Sequence, residues 1–360
     1  MNYRLLFILL LAVGSVKLQA QKTSLENVHV MPWPQEIKTN TSDFKINKDF
    51  SVFIHGAVHE NSRINKAAVR FIRYMTDKSG VFVSEGFPNA EGVKAASASV
   101  QIYYEKAAEV VMGIDESYSL SVADDGIVIR AKTDIGAMHG LATLLQLIQV
   151  KDKAYVFAGV DIKDSPRFVW RGLMMDVGRH FMPMEVIKRN IDAMALVKLN
   201  VFHWHLSDDQ GFRVETKTLP ELYKKASDGQ YYTQEQIKNI VNYADDRGIR
   251  VVPEFDVPGH GTAFLTAYPE LGSKKGLTYS LERNAGIFDP TLDPTNEKTY
   301  EMLDVLFKEV TPLFKDVYFH IGGDENAGKH WDENPEIQQF MKDNDLKDNH
   351  ELQTYFNIRL

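Results

Sequence analysis

The C-terminal part of the chain, from about residue 163 onward, alternates short apolar segments with amphipathic ones. Apolar segments of strand length lie at 172–177 (GLMMDV), 200–206 (NVFHWHL), 249–256 (IRVVPEFD) and 316–321 (DVYFHI). Apolar residues at helix spacing are found at 183–199, 233–248 and 296–314. Apolar strands separated by helices predict a parallel sheet covered by helices. This pattern allows two architectures, an open doubly wound sheet and a closed (β/α)8 barrel.

Ionisable residues follow each predicted strand, and their placement favours the barrel. In strand order they are Arg179 and His180, Asp208 and Asp209, Asp256 and His260, and Asp324 and Glu325. A barrel collects its functional groups from the carboxyl ends of several strands, whereas an open sheet concentrates them at one switch point. We therefore predict an α/β fold with a (β/α)8 TIM-barrel catalytic domain over residues 163–360.

This barrel is expected to be incomplete at its C-terminus, with only about the first half present. A full barrel takes roughly 250 residues, whereas this sequence provides four strands and a further helical segment at 349–360. Half a barrel would leave strand edges and apolar helix faces exposed. Catalysis by this chain alone is therefore expected to be impaired.

Residues 21–162 have a different pattern and predict a small α+β domain. Two short alternating runs flank Asp125-Gly126 within 117–131, which indicates a β-hairpin. Apolar residues then recur at helix spacing over 135–148. Because this region carries no constellation of chemically active residues, we expect it to support the barrel domain.

Residues 1–20 resemble a secretory signal peptide. A basic residue, Arg4, precedes a short apolar run over 5–13, and Ala20 stands at the expected cleavage point. The apolar run is short for a membrane span, and a second run of that kind is not found in the sequence. The mature protein is therefore expected to be exported to the periplasm or the extracellular space, without a membrane span.

Charge and cysteine content exclude two classes of function. Asp and Glu number 49 against 41 Lys and Arg, which gives a net charge of -8. Basic residues do not form a block, so binding to nucleic acid is not expected. The sequence has no cysteine, which excludes thiol nucleophiles and cysteine-ligated zinc.

Asp324 and Glu325 form an adjacent acid pair behind Gly322-Gly323 in the segment HIGGDEN. A Glu in a partly apolar pocket has a raised pKa and can donate a proton to a leaving group, while its neighbour accepts a hydrogen bond from the substrate. The alternative is a surface pair that opens the next helix. The two glycines, which permit close approach of a ligand, favour the functional interpretation.

Two histidine-containing segments supply further candidates. In PEFDVPGHG, the turn at Pro258-Gly259 presents His260, which can form a relay with Asp208 and Glu325 and so tune the acid. In HWHLSDDQGFR, His203 and His205 share one face of a strand and are either core residues or ligands of a metal-dependent hydrolase. The planar guanidinium of Arg179 suits two neighbouring hydroxyls or a carboxylate.

The segments RGLMMDVGRHFMP, KLNVFHWHLSDDQGFRVE, PEFDVPGHG and HIGGDE occur in the order and spacing found in glycoside hydrolase family 20, the β-N-acetylhexosaminidases. The upstream segments MPWPQEI and GAMHGLATLLQLI also resemble the small N-terminal domain of that family. The resemblance implies an exo-acting hydrolase that releases terminal non-reducing GlcNAc or GalNAc from glycans or chitin oligomers. It also implies substrate-assisted retention, without a metal or cofactor.

By this resemblance, Glu325 is the general acid and Asp324 accepts the N–H of the substrate's acetamido group. Asp208 and His260 correspond to the relay behind the acid. Arg179 grips the sugar hydroxyls; Asp209, the second choice for the relay carboxylate, is otherwise assigned to substrate binding. Two alternatives stay open, a catalytically impaired sugar-binding fragment and a metal-dependent barrel hydrolase.

Overall fold

The computed structural model describes residues 28–56 and 59–360, which fall into two compact units. The first contains the described residues up to Trp170 together with Ala193–Leu199 and Asp246–Gly248. The second contains Arg171–Asp192, Asn200–Asp245 and Ile249–Leu360. The domain boundaries proposed from the sequence stay predictions, and the proposed signal peptide lies outside the described residues.

Among its described residues, the first unit contains nine strands and two long helices. The strands are β1 (Glu36–Thr39), β2 (Phe44–Lys45), β3 (Val52–Ile54), β4 (Val100–Lys106), β5 (Tyr118–Ala123), β6 (Gly126–Thr133), β7 (Ile148–Lys151), β8 (Ala154–Phe157) and β9 (Val160–Asp164). The helices are α1 (Arg63–Ser79) and α2 (Asp134–Gln146). Six strands form one sheet in the order β1-β9-β5-β6-β4-β3, and three form a second in the order β2-β8-β7.

The sequence correctly predicts the hairpin in this unit. Strands β5 and β6 pair antiparallel, and Ala123 lies opposite Gly126 at the turn. The helix that follows is confirmed as α2, with the Thr133 side chain accepting a hydrogen bond from the backbone N–H of Gly136 at its start. It ends at Gln146, earlier than predicted, because Ile148 begins β7.

The core of the first unit lies where one face of the sheet meets α1 and α2. Along β5, Tyr118, Leu120 and Val122 are buried, while the residues between them are more exposed. This alternation follows from the two-residue period of a strand. Helix α1 buries Ala68, Phe71 and other apolar residues of one face against the same cluster.

The second unit is organised around a parallel sheet of β10 (Gly172–Asp176), β11 (Val201–His205) and β14 (Arg250–Glu254). Each strand starts in register with its neighbour, so Gly172 lies beside Val201 and Val201 beside Arg250. Two further short strands, β12 (Ser207–Asp208) and β13 (Gly211–Phe212), form a small antiparallel pair after β11. The parallel sheet predicted from the apolar segments is thus confirmed.

Helices connect these strands, as the sequence predicts. Helix α3 (Met184–Leu196) lies between β10 and β11, whereas α4 (Glu221–Ala226) and α5 (Gln234–Asp245) lie between β11 and β14. Helix α5 begins with a capping box, in which the side chains of Thr233 and Gln236 each accept a hydrogen bond from the other's backbone N–H. Parallel strands require such crossovers.

The strand predicted at 316–321 is much shorter in the structure and is reduced to an isolated bridge. His320 bridges to Glu254 in parallel orientation. Its backbone N–H donates to Pro253 at 2.9 Å, and its carbonyl accepts from Phe255 at 3.2 Å. The residues around His320 therefore lie beside the carboxyl end of β14. Residues 316–319 do not pair with β14.

The remaining helices of the second unit are α6 (Thr262–Ala267), α7 (Glu297–Val310), α8 (Lys329–Asp332), α9 (Pro335–Asp343) and α10 (Asn349–Arg359). Helix α10 confirms the segment predicted at 349–360 and buries Leu352 and Phe356. Trp331 is fully buried and packs with Ile337, Met341 and Leu352. Among the described residues, none of the helices has both the length and the apolar character to cross a membrane.

Candidate active site

The site forms where the carboxyl ends of three parallel strands meet. Asp176 ends β10, His205 ends β11 and Glu254 ends β14, and the three lie side by side in the sheet register. The six residues predicted for the site follow these ends or the bridge at His320: Arg179, Asp208, Asp209, His260, Asp324 and Glu325. A chain of close contacts and charge interactions links all six.

His260 stands between two carboxylates and the candidate acid. Its Nδ1 atom lies 2.9 Å from Asp209 Oδ2 and 3.4 Å from Asp208 Oδ1. On the other side of the ring, Nε2 lies 3.4 Å from Glu325 Oε2. This last separation is an ionic contact without hydrogen-bond geometry. The predicted Asp-His-Glu arrangement is therefore present in space.

The carboxylate nearest to His260 is that of Asp209, whereas the sequence favoured Asp208. Asp209 is fully buried, and its second oxygen accepts hydrogen bonds from the backbone N–H and the hydroxyl of Thr262. Both oxygens are thus occupied inside the protein. The assignment of Asp209 to substrate binding stays a prediction, and in this structure its carboxylate contacts His260 and Thr262.

His260 is held as an imidazolium by its surroundings. Burial alone would lower the pKa of His260, but hydrogen bonds and negative charge from Asp208 and Asp209 raise it to about 11. The positive ring faces Glu325, whose side chain is 45% exposed. The positive ring therefore lies beside the candidate acid.

Asp208 instead connects His205 with Arg179. Its Oδ2 atom lies 2.8 Å from His205 Nε2 and 3.0 Å from Arg179 Nη1. Burial alone would raise the pKa of Asp208, but its contacts with His205 and His260 hold it well below the usual range. The same guanidinium donates to Asp176 Oδ2 at 2.7 Å. Arg179 is therefore fixed by two carboxylates, of which sequence reasoning missed Asp176.

The loop that carries the acid pair has an unusual backbone. Gly322, Gly323 and Glu325 all have positive φ, at 66°, 99° and 54°. At Gly322 a Cβ atom would overlap the carboxylate of Asp256. The glycines are thus required both by conformation and by close approach. A non-glycine residue such as Glu325 in this region is strained, which is common at functional sites.

Asp256 lies directly under this loop, and sequence reasoning gave it no role. Its Oδ1 atom accepts a hydrogen bond from Gly323 N at 2.7 Å. Burial raises the pKa of Asp256 to about 8, with a further increase from Asp324, whose carboxylate oxygen lies within 4.8 Å. In its neutral form, Asp256 adds no negative charge beside the Asp324 side chain.

Glu254 is a third residue that sequence reasoning missed, after Asp176 and Asp256, although a charged residue inside an apolar strand was a visible signal. Together with His203 and His320 it offers a possible metal-binding group, with ligand atoms within 4.8 Å of one another. However, Glu254 lies only 2.6 Å from His203 Nε2 and 2.9 Å from His320 Nδ1. Ligands in a tetrahedral zinc site lie about 3.3 Å apart, so these spacings suit direct contact between the side chains better.

The second unit thus combines strands of a parallel barrel with an acid pair, an imidazolium behind one acid, and a fixed arginine. This combination is found in the class of α/β-barrel glycoside hydrolases. A sequence model described as glycosyl hydrolase family 20, catalytic domain, matches residues 168–360. A second, described as beta-acetyl hexosaminidase like, matches residues 30–147. The chain therefore belongs to glycosyl hydrolase family 20.

Known relatives agree with this assignment. A beta-hexosaminidase of Porphyromonas gingivalis is 40% identical over 263 residues, 67% of this chain and 33% of that protein. The X-ray structure of Flavobacterium johnsoniae chitobiase superposes with a TM-score of 0.89 at 55% identity, covering 93% of this chain and 50% of that one.

A third relative carries a bound sugar. The exo-β-N-acetylglucosaminidase of Vibrio harveyi, solved in complex with N-acetylglucosamine, has a TM-score of 0.72 at 30% identity, covering 91% of this chain and 51% of that one. The present chain thus spans about half the length of the two solved proteins. The predicted fold class, a TIM-barrel catalytic domain preceded by a small α+β domain, is confirmed.

Proposed function

We propose that the protein is an exo-acting β-N-acetylhexosaminidase that releases terminal non-reducing GlcNAc or GalNAc from glycans or chitin oligomers. The observation that carries the proposal is the contact between His260 Nε2 and Glu325 Oε2, 3.4 Å apart, with Asp324 immediately before Glu325 in the chain. This contact supports a role for Glu325 in proton transfer, and for Asp324 as the acceptor of an amide N–H. The names of the relatives, which include chitobiase and beta-hexosaminidase, support the same substrate class.

In this proposal the nucleophile belongs to the sugar. Glu325 donates its proton to the glycosidic oxygen, while the substrate's acetamido oxygen attacks the anomeric carbon and forms an oxazolinium ion. Asp324 accepts the acetamido N–H and aims that oxygen. Glu325, now ionised, removes a proton from the water that opens the intermediate. His260 stabilises the ionised Glu325 between the two steps.

Arg179 binds the hydroxyls on the far side of the terminal sugar. Two carboxylates, Asp176 and Asp208, hold its guanidinium at one Nη atom, which leaves other N–H groups of the fork for a ligand. We assign Asp209 to the relay behind His260, because it makes the shorter contact. Asp208 then contacts both His260 and Arg179 through its carboxylate.

We further propose export to the periplasm or the extracellular space, which rests on the signal-like pattern of residues 1–20. Fractionation of producing cells, followed by N-terminal sequencing of the secreted form, tests this. A mature protein that starts near Gln21 and lies outside the cytoplasm supports the proposal. An unprocessed N-terminus at Met1 would contradict it.

The activity is tested with the 360-residue chain and with the protein expressed from its complete reading frame. The substrate is a chromogenic β-N-acetylglucosaminide, and the matching β-glucoside, which lacks the acetamido group, is the control. We expect hydrolysis of the first only, and a lower rate in Glu325→Gln. Equal hydrolysis of both would exclude acetamido participation.

Two other outcomes correspond to the competing functions. Sugar binding without turnover by both proteins would make this a non-catalytic sugar-binding protein. Hydrolysis that a chelator abolishes and zinc restores would favour a metal-dependent hydrolase built on His203 and His205. Either result would replace the proposed mechanism.

A further inference from the structure

Glu254 occupies an unusual position at the end of β14, because three imidazole rings converge on its buried carboxylate. Its Oε2 atom lies 2.6 Å from His203 Nε2 and 2.7 Å from His205 Nδ1. Its Oε1 atom lies 2.9 Å from His320 Nδ1. The mechanism proposed above uses none of these four residues.

Towards one side, Glu254 connects with Arg179 through two intermediate residues. His205 places Nδ1 at 2.7 Å from Glu254 and Nε2 at 2.8 Å from Asp208. A neutral imidazole has only one N–H, so both contacts are favourable only if the ring carries two protons. Asp208 in turn lies 3.0 Å from Arg179 Nη1. The result is a line of alternating charges that ends at the arginine.

Towards the other side, Glu254 connects with the loop of the acid pair. His320 Nδ1 lies 2.9 Å from Glu254 Oε1 and 3.0 Å from the backbone nitrogen of Gly322. His320 Nδ1 can donate a hydrogen bond to Glu254 or accept one from Gly322, but it cannot do both at once. Gly322 is two residues before Asp324. The position of the acid pair is therefore coupled to the charge on Glu254.

We propose that Glu254 is a positioning residue that connects the sugar-gripping arginine with the acid loop. Through His205 it holds Asp208 and Arg179, and at His320 Nδ1 it competes with the hydrogen bond from Gly322. The inference rests on the proposed function, because it assigns Glu254 a part in the same site. It also makes the charge state of His205 a requirement for substrate binding.

The first test is ¹⁵N NMR of the histidine side chains in the protein expressed from its complete reading frame. The signals of His205 are assigned by their loss in His205→Gln. We expect both ring nitrogens of His205 to carry protons up to about pH 9, since Glu254, Asp208 and Asp176 all face the ring and raise its pKa to about 10 against the effect of burial. Titration of His205 near pH 6.5 in the wild type would overturn the proposal.

The second test is Glu254→Gln, which keeps the size and one acceptor oxygen but removes the charge. His205 then loses one of its two carboxylate contacts, so its pKa falls and the ring is neutral at alkaline pH. We expect KM to rise by about tenfold between pH 6 and pH 9 in this variant relative to the wild type. We also expect kcat to fall at all pH values, because the altered contact at His320 Nδ1 displaces the acid loop.

The matched control is Asp316→Asn, which breaks the buried ion pair with Arg250 near the other end of β14. It is expected to lower the melting temperature without changing the dependence of KM on pH. If Glu254→Gln behaves like this control, Glu254 is only structural and the proposal is wrong.

Two further outcomes are decisive. Stabilisation of the wild type by zinc, lost in Glu254→Gln, would make Glu254 a metal ligand and overturn the proposal. If the wild type fails to hydrolyse N-acetylglucosaminides, the proposed function fails. The NMR titration still decides whether Glu254 holds His205 in its doubly protonated form.

Discussion

Asp209 Oδ2 lies 2.9 Å from Nδ1 of His260 and is the nearest carboxylate oxygen to that ring. Asp208, the preceding residue, places Oδ1 at 3.4 Å from the same atom. Its other oxygen, Oδ2, contacts His205 and Arg179. Two adjacent carboxylates thus serve different parts of the site. The division between them can be tested by kinetics.

We predict that Asp209→Asn and Asp208→Asn impair different kinetic constants. Asp209→Asn removes the main charge that supports the imidazolium of His260, so kcat is expected to fall by about 10²-fold with little change in KM. Asp208→Asn also releases Arg179, so KM is expected to rise as well. Steady-state kinetics of both variants on the same substrate measures this. A rise in KM for Asp209→Asn alone would reverse our assignment.

Glu325→Gln is predicted to be most harmful when the leaving group is a poor one. A general acid matters most where the departing oxygen is basic, and little where it is a stable phenolate. We expect a loss of at least about 10³-fold in kcat/KM on a GlcNAc disaccharide, and a much smaller loss on a dinitrophenyl glycoside. Equal losses on both substrates would show that Glu325 does not protonate the leaving group.

The order of strands and helices in the second unit could be predicted because each apolar segment has the length and period of its element. The site could also be located, since residues that follow parallel strands meet at one edge of the sheet. What the sequence could not decide is which of Asp208 and Asp209 faces His260. That depends on backbone direction after β11, and a pattern of residue types does not contain this information.

Glu254 and Asp256 show a second limit. Both belong to the segment PEFD of the strand predicted at 249–256, which ends at Glu254 in the structure, and neither received a role. Their functions depend on residues distant in the sequence, His203 and His320 for Glu254, and Gly323 and Asp324 for Asp256. Contacts across strands of this kind appear only once the register is known. The apolar pattern of residues 316–321 likewise does not show how many of them pair with β14, and only His320 forms a bridge.

Gly322→Ala is predicted to destabilise the protein and to reduce activity. Its φ of 66° disfavours any side chain, and the new Cβ atom would overlap Asp256 Oδ1. Gly229→Ala is the matched control, because Gly229 has a φ of 75° but open space around the missing Cβ atom. The control is expected to lose about 1 kcal/mol of unfolding free energy. Gly322→Ala is expected to lose more than twice as much, measured by urea denaturation, and equal losses would refute the steric argument.

Asp256→Asn is predicted to gain stability relative to the wild type as the pH rises. Asp in an unfolded chain has a pKa of about 3.9, whereas burial and Asp324 raise the pKa of Asp256 to about 8 in the folded state. Between these values the folded wild type binds more protons than the unfolded chain, so its stability falls with rising pH. Asparagine does not ionise and can still accept the hydrogen bond from Gly323.

The difference in unfolding free energy between Asp256→Asn and the wild type is therefore expected to grow from pH 4 to pH 8, by at least about 2 kcal/mol, and to level off above that. Urea denaturation at a series of pH values measures this difference, in which groups that titrate equally in both proteins cancel. A difference that stays constant between pH 4 and pH 8 would mean that Asp256 is ionised under the acid loop. Asp324 would then face a second negative charge at neutral pH, and the account of how it accepts the acetamido N–H would need to be revised.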